Sequence, residues 1–374
     1  LMILLYIIIT IIYAGLILWL ADGIKNLKNY ELEESVFPEI SVIVSARNEE
    51  DNLPNLISAL ENQTYPKDLV KIIIVNDRST DRTEEILKKY QLQNALFHFI
   101  TVNETPEEWA PKKWALNCAI EYAKTDIILQ TDADCIPHEN WIKMMVKPFS
   151  NPEIGFVSAP APLTNNITII DSLFELDSLA QDAFSAGGFY HGLTFSCTGR
   201  NMGFLKQAFN DINGYKGISH FISGDDDLLL HKISGHPSYK TEFVISEQSI
   251  VDSPPPPSIE KFIRQRLRFA SKGFSYFNIK TSKSLKIILP FLYITNFVSL
   301  ISIFNFVEFS TFYWIIPWII KSIADIVITY IFYLRIKREW NLAIALLLSL
   351  IHPLYIVIFG IWGPFSTIEW KKDE

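Results

Sequence analysis

Hydrophobic residues follow two patterns along this chain. Residues 1–20 form an apolar run that ends before Asp22, close to the ~20 residues a helix needs to cross the hydrocarbon core. Three more runs follow near the other end: 287–307 is free of charge, 311–334 is apolar except for Lys321 and Asp325, and 342–361 carries only His352. Four transmembrane helices are predicted. The first run has no basic leader and no A-x-A-like site after it, so it reads as a span rather than a cleaved signal peptide. Between these runs the apolar residues come in short blocks. Those at 40–46, 71–75, 97–102 and 127–130 predict buried strands, and the stretches after Asp51, at 82–90 and around 115–123 predict helices. Asp81 and Glu84 have the spacing of a capping box at the start of the second of these helices.

Alternating strands and helices imply an α/β fold, a mostly parallel sheet with helices on both faces. The expected domains are an N-terminal transmembrane helix (1–22), a globular domain (23–257), an amphipathic interface segment (258–283) and C-terminal transmembrane helices (284–374). The interface segment follows Pro254 to Pro257, a stiff spacer. It interleaves Lys261, Arg264, Arg266, Arg268 and Lys272 with Phe262, Ile263, Leu267 and Phe269, the composition of a helix lying on anionic headgroups.

Composition narrows the functional classes. The chain has 374 residues, 49% of them hydrophobic, which suits a mixed membrane and globular architecture. A net charge of -8 offers no broad basic surface for a nucleic acid, so any phosphate ligand is held locally. Cys118, Cys135 and Cys197 are far apart and lack CxxC spacing, which supports neither a disulfide framework nor a zinc site and fits a reducing compartment. Lys25 and Lys28 follow the first span, and Arg335, Lys337 and Arg338 join the third to the fourth. The loop around Glu308 has no basic residue. The globular domain is therefore expected on the cytoplasmic side of the cell membrane. Lys321 and Asp325, four apart on a helix, read as a structural pair.

In parallel sheets, ligands bind beyond the carboxyl ends of the strands. Three predicted strand ends carry acids: Glu49 after the first, Asp77 after the second, and Asp132 and Asp134 after 127–130. Carboxylates two apart on an extended backbone share a face and suit Mg2+ or Mn2+. Each acid alone also has a plain reading, as a turn, a cap or a dipole partner. Asp225, Asp226 and Asp227 abut an apolar helix start and are either a solvated cap or a working site with a general base.

Taken in order, these segments resemble the family-two inverting glycosyltransferases, a group that includes cellulose and hyaluronan synthases and many bacterial lipid and polysaccharide glycosyltransferases. The resemblance covers about residues 38–273. It rests on SVIVSARNEEDNL, IIIVNDRSTDRT, PKKWALN, LQTDAD, TGRNMGFLKQAFNDINGY, GDDDLLLHKI and QRLRF. PKKWALN is similar to the family's GKAxALN, which sets Lys112 at the motif's lysine. The resemblance implies a GT-A type, Rossmann-like fold. It also implies nucleotide-sugar contacts at Ala46, Glu49, Asp77, Lys112 and Asp132, a metal on Asp134 with Asp132, and a base at Asp226 with Asp225 as the alternative. Gln265, Arg266 and Arg268 would close over the diphosphate. Phe269 stands where the family has Trp, Ser45 where Pro is common, and Asn213-Gly214-Tyr215 where Gly-Gly-Phe is.

The implied activity is inverting, metal-dependent transfer of a sugar from a nucleotide diphosphate donor, best matched to UDP, to a membrane-associated, lipid-linked acceptor. A processive polysaccharide synthase with a growing glycan acceptor is the first alternative. A non-catalytic membrane binding or assembly module is the second, and a transporter is disfavoured because so few ionisable groups lie in the spans.

Overall fold

The computed structural model describes residues 2–32, 37–164, 168–271, 273, 275–278 and 283–365. The chain begins with α1 (Met2–Asn26), β1 (Ile40–Ala46), α2 (Leu53–Glu61), β2 (Val70–Asp77), α3 (Thr83–Gln93), β3 (Phe97–Val102) and α4 (Pro111–Tyr122). It continues through β4 (Ile127–Gln130), β5 (Ile136–Pro137), α5 (Trp141–Val146), β6 (Ile154–Ser158), α6 (Ile169–Tyr190), β7 (Met202–Leu205) and α7 (Lys206–Asp211). Last come α8 (Asp227–Ser234), β8 (Lys240–Phe243), β9 (Val251–Asp252), α9 (Ile259–Ser271), α10 (Ser275–Asn278), α11 (Lys283–Phe309), α12 (Ile316–Arg335) and α13 (Leu342–Trp362). These elements form two compact units, one comprising residues 28–164 and 196–254, the other residues 1–27, 165–195 and 255–374.

The first, globular unit is built on a seven-stranded sheet in the order β3-β2-β1-β4-β7-β6-β8. Each of the first four pairs with its neighbour in parallel, β7 runs antiparallel between β4 and β6, and β6 pairs in parallel with β8. β1 and β2 sit inside the sheet, which is why both read as nearly unbroken apolar runs. Val42, Val44, Ile72, Ile74, Leu56 and Trp141 pack into one core. All four strands expected from the sequence form. The register sets Ile43 opposite Gln130 and Ala46 opposite Asn76, so the carboxyl ends of β1, β2 and β4 share one edge.

The expected capping box is not made. Arg82, not Asp81, is the N-cap of α3, while Asp81 accepts from the Thr83 and Glu50 N–H groups, both at 3.0 Å. Glu84 pairs instead with Lys88 at 2.6 Å. Asp81 is thus spent on joining two loops, and its spacing to Glu84 is incidental.

The second unit is helical. Among the described residues, four of its helices are long and apolar enough to cross a membrane: Met2–Asn26, Ser284–Phe309, Phe312–Arg335 and Leu342–Trp362. Residues 165–195, expected within the globular domain, group here instead. Their helix α6 packs against α1, α12 and α13. Its acids find cations and hydroxyls within the unit: Glu175 lies 3.8 Å from Arg338, and Asp177 pairs with Arg266 and accepts from the Tyr355 hydroxyl. Lys321 and Asp325 form the expected pair at 2.6 Å, with the Tyr13 hydroxyl donating to Asp325 at 2.5 Å. Arg335 donates to the carbonyls of Ile24 at 2.5 Å, Lys25 at 2.7 Å and Leu27 at 3.0 Å. The carboxyl ends of α1 and α12 therefore lie together, with Lys25 and Arg335 at that end. Lys272 of the amphipathic segment lies outside the described residues.

Candidate active site

Two loops leave the sheet edge side by side and are stitched together. Asn48 and Arg78 follow β1 and β2 with positive φ of 53° and 55°, so each chain turns sharply as its strand ends. The Thr80 N–H donates to Asn48 Oδ1 at 2.8 Å, the Asn48 N–H to Ser79 Oγ at 3.1 Å, and the Glu49 N–H to Thr83 Oγ1 at 2.9 Å. Glu50 adds an ion pair to Arg82 at 3.0 Å. Ala46 ends β1 fully buried. Asp77, 1% exposed, ends β2 with its carboxylate 2.8 Å from Arg78 Nε.

β4 delivers the next acids. Beyond Gln130, Thr131 is anchored through its hydroxyl to the Arg200 carbonyl at 2.8 Å, and Asp132, Ala133 and Asp134 follow. Loss of water first, then the charges of Asp132 and Glu49, raise the Asp134 carboxyl to about 6, against the pull of Arg200. Pro111 occupies the first turn of α4, where a missing N–H costs nothing. The following Lys112 sets its ammonium 2.9 Å from Asp132 and 3.1 Å from Asp225. Burial opposes this charge, but the charges of Asp132 and Asp225 outweigh it, so Lys112 stays protonated.

Asp225 and Asp226 differ in environment. Asp225 is buried, with Lys112 on one oxygen and Gln130 Nε2 at 3.4 Å. Burial pushes its carboxyl up, Lys112 and Lys113 pull it down, and the balance lies below the ordinary value. Asp226 is the half-buried N-cap of α8 and accepts from the Gly199 N–H at 3.0 Å and the Asp227 N–H at 2.7 Å. Gly199 can bring its amide this close because it has no side chain: a Cβ there would lie 3.2 Å from Asp225 Oδ2.

Residues 41–212 match the sequence profile described as Glycosyl transferase family 2. The chain carries a glycosyl transferase family 2 domain. A probable glycosyltransferase, YdaM of Bacillus subtilis, is 23% identical over 259 residues, covering 68% of this chain and 60% of the relative. A beta-monoglucosyldiacylglycerol synthase of Synechocystis is 26% identical over 195 residues, covering 52% and 40%. The chain thus spans about half the length of these curated relatives. A mannosyltransferase from Pyrobaculum calidifontis, solved with GDP-Man and Mn2+, superposes over 100% of both chains with a TM-score of 0.62 at 18% identity. It has the same GT-A fold.

Lys112, Asp132 and Asp134, within the matched residues, come together with Asp225 and Asp226, which lie beyond them in the chain, and Glu49 is near enough for its charge to reach Asp134. Gln265, Arg266 and Arg268 lie on α9 in the helical unit. There Arg266 pairs with Asp177 and sits 4.9 Å from the Phe262 ring centre, and Arg268 sits 5.1 Å from that of Phe269. Sequence reasoning passed over Arg200, whose backbone holds Thr131 and whose side chain bonds Thr198 at 3.1 Å and Ser253. It also passed over Asn201, a buried hub joining Trp141 at 2.8 Å, Pro160 at 2.7 Å and Ser249 at 2.8 Å. Both stand inside TGRNMGFLKQAF, and that match was the signal that could have found them.

Among the described residues, no group of three or more His, Cys, Asp or Glu side chains forms a ready metal cage. The donor set nevertheless fits Mg2+ or Mn2+, which bind through one or two carboxylates and take further oxygens from phosphates and water. Asp132 already holds a cation, the Lys112 ammonium, and Asp134 is a carboxylate among like charges that a metal ion would relieve.

Proposed function

We propose that this chain transfers a sugar from a nucleotide diphosphate sugar, UDP being the nucleotide that its motifs resemble most, to a lipid or lipid-linked acceptor, with inversion at the anomeric carbon. The observation that carries the reading is the Lys112 bridge, which joins the acid of the β4 end to the acids before α8 in one polar site. The glycolipid synthase among the relatives supports the acceptor class, and the Mn2+ and nucleotide sugar in the structural neighbour support the donor chemistry. Four membrane-length helices, with the basic ends of α1 and α12 on one side, support action at the cytoplasmic face.

In this mechanism Glu49 and Asp77 hold the nucleoside side, and Lys112 turns its ammonium to the diphosphate. The acceptor hydroxyl oxygen attacks the anomeric carbon as its proton passes to Asp226. The carbon–oxygen bond to the diphosphate breaks, and the nucleoside diphosphate leaves with the electron pair. The backbone N–H groups of Gly199 and Asp227 hold the Asp226 carboxylate in place for this step. A divalent ion on Asp132 and Asp134 would offset the charge that gathers on the leaving group.

The test is release of nucleoside diphosphate by purified protein in nanodiscs, across a donor panel, with Mn2+ or Mg2+ and with or without membrane lipids. Release that needs the metal and rises with lipid supports the reading. A ladder of products would instead support a processive synthase. Metal-independent donor binding without turnover would support a binding module.

A further inference from the structure

Beside Lys112, the next residue of α4 is also a lysine, and it does something different. Lys113 is 1% exposed. An ammonium in a protein core costs several kcal/mol unless its donors are met, and the family's GKAxALN pattern has an alanine at this position. The ammonium donates to two backbone carbonyls, those of Phe221 and Ser223, the second at 2.8 Å, and lies 5.9 Å from the Phe221 ring centre. One turn earlier, the Ala110 N–H donates to the Ser219 carbonyl at 2.8 Å. The start of α4 therefore grips residues 219–223, a stretch with neither helix nor strand. That stretch leads through Gly224, at φ +87°, directly into Asp225 and Asp226. Lys113 also contributes to holding the Asp225 carboxyl ionised, after Lys112.

We propose that Lys113 is a positioning residue for Asp226: it fixes the path of the loop before α8, so that the base stands where the acceptor hydroxyl arrives. The proposal rests on the reading of Asp226 as the base. It gives the two lysines separate tasks. Lys112 addresses side chains that meet the donor, and Lys113 addresses the backbone that carries the acceptor-side acid. A misplacement of about 1 Å can cost on the order of 100-fold in rate, so loosening this anchor acts on kcat while the donor's own contacts are kept.

The experiment uses the full chain in nanodiscs and compares Lys113→Met, Lys113→Gln and Asp226→Asn with the parent. Lys113→Met should lower kcat for transfer about 10- to 100-fold, with the KM for donor within about twofold. It should also raise hydrogen exchange at amides 222–227 while the β1, β2 and β4 amides keep their protection. Lys113→Gln retains donors without the charge and should fall between; it replaces Lys113→Met if that variant does not fold. Unchanged turnover in Lys113→Met alongside a dead Asp226→Asn overturns the positioning role and leaves the base standing. Normal turnover in Asp226→Asn defeats the base assignment and, with it, the positioning role of Lys113. A donor KM that rises in step with the loss of kcat, or exchange that rises across the whole sheet, marks Lys113 as a general structural residue and also overturns the proposal.

Discussion

Asp225 and Asp226 are adjacent in sequence but differ in what they can do. The Asp225 carboxylate is committed to Lys112, whereas the Asp226 carboxylate accepts the backbone N–H groups of Gly199 and Asp227. Asp226→Asn should bind donor normally yet lose about 10²- to 10⁴-fold in turnover, the usual share of a general base; single-turnover transfer measures it. Asp225 makes a stability prediction. Its folded carboxyl lies below the ordinary value, so its contribution is complete above the unfolded value of about 3.9. It disappears as pH falls through the folded value. Asp225→Asn should therefore melt below the parent at pH 7, and the two should converge in acid; a gap constant from pH 3 to 7 would refute this. The acids themselves stood out in the sequence because each borders an apolar element, a strand before Asp132 and Asp134 and a helix after Asp225 and Asp226. Their bridging cation did not, since Lys112 lies 20 residues before Asp132, and no local rule links a helix start to a strand end so far away. Arg200 was hidden for the same reason.

At the scale of elements, the parallel strands were legible because neighbours on both sides demand unbroken apolar runs. The antiparallel β7 was not, because only the finished sheet decides its direction. Helix α6 was not read from the sequence, because Glu175, Asp177 and Asp182 break up its apolar pattern, and nothing in the sequence announces that Arg338, Arg266 and Tyr355 will meet two of these acids. The entry to α8 depends on Gly224, where an added Cβ would lie 2.5 Å from Leu228 Cγ as well as at positive φ. Gly224→Ala should cost about 1–3 kcal/mol, seen as a lower Tm. The contact of α1 with α12 predicts non-additivity. Lys321→Met leaves Asp325 without its cation and should destabilise by about 3–5 kcal/mol, whereas adding Asp325→Asn should recover part of the loss. Thermal unfolding in detergent reads both, and a double variant worse than the single would contradict the pairing.

For the molecule as a whole, charge bias predicts the side of the membrane. Half-exposed Cys118 on α4 lies in the globular unit and should react with an impermeant maleimide in inside-out vesicles but not in right-side-out ones; the reverse pattern would invert the topology. The two units also interleave along the chain, and this has a consequence for biosynthesis. Tyr13 and Asp325 are 312 residues apart. At about 5–20 residues per second, the ribosome needs on the order of 15–60 s to supply the partner of the first helix. Throughout that interval the Tyr13 hydroxyl lacks its carboxylate, and lipid or the insertion machinery covers the face that α12 will take. The helical unit thus receives its last helices only after the whole globular unit has been synthesised.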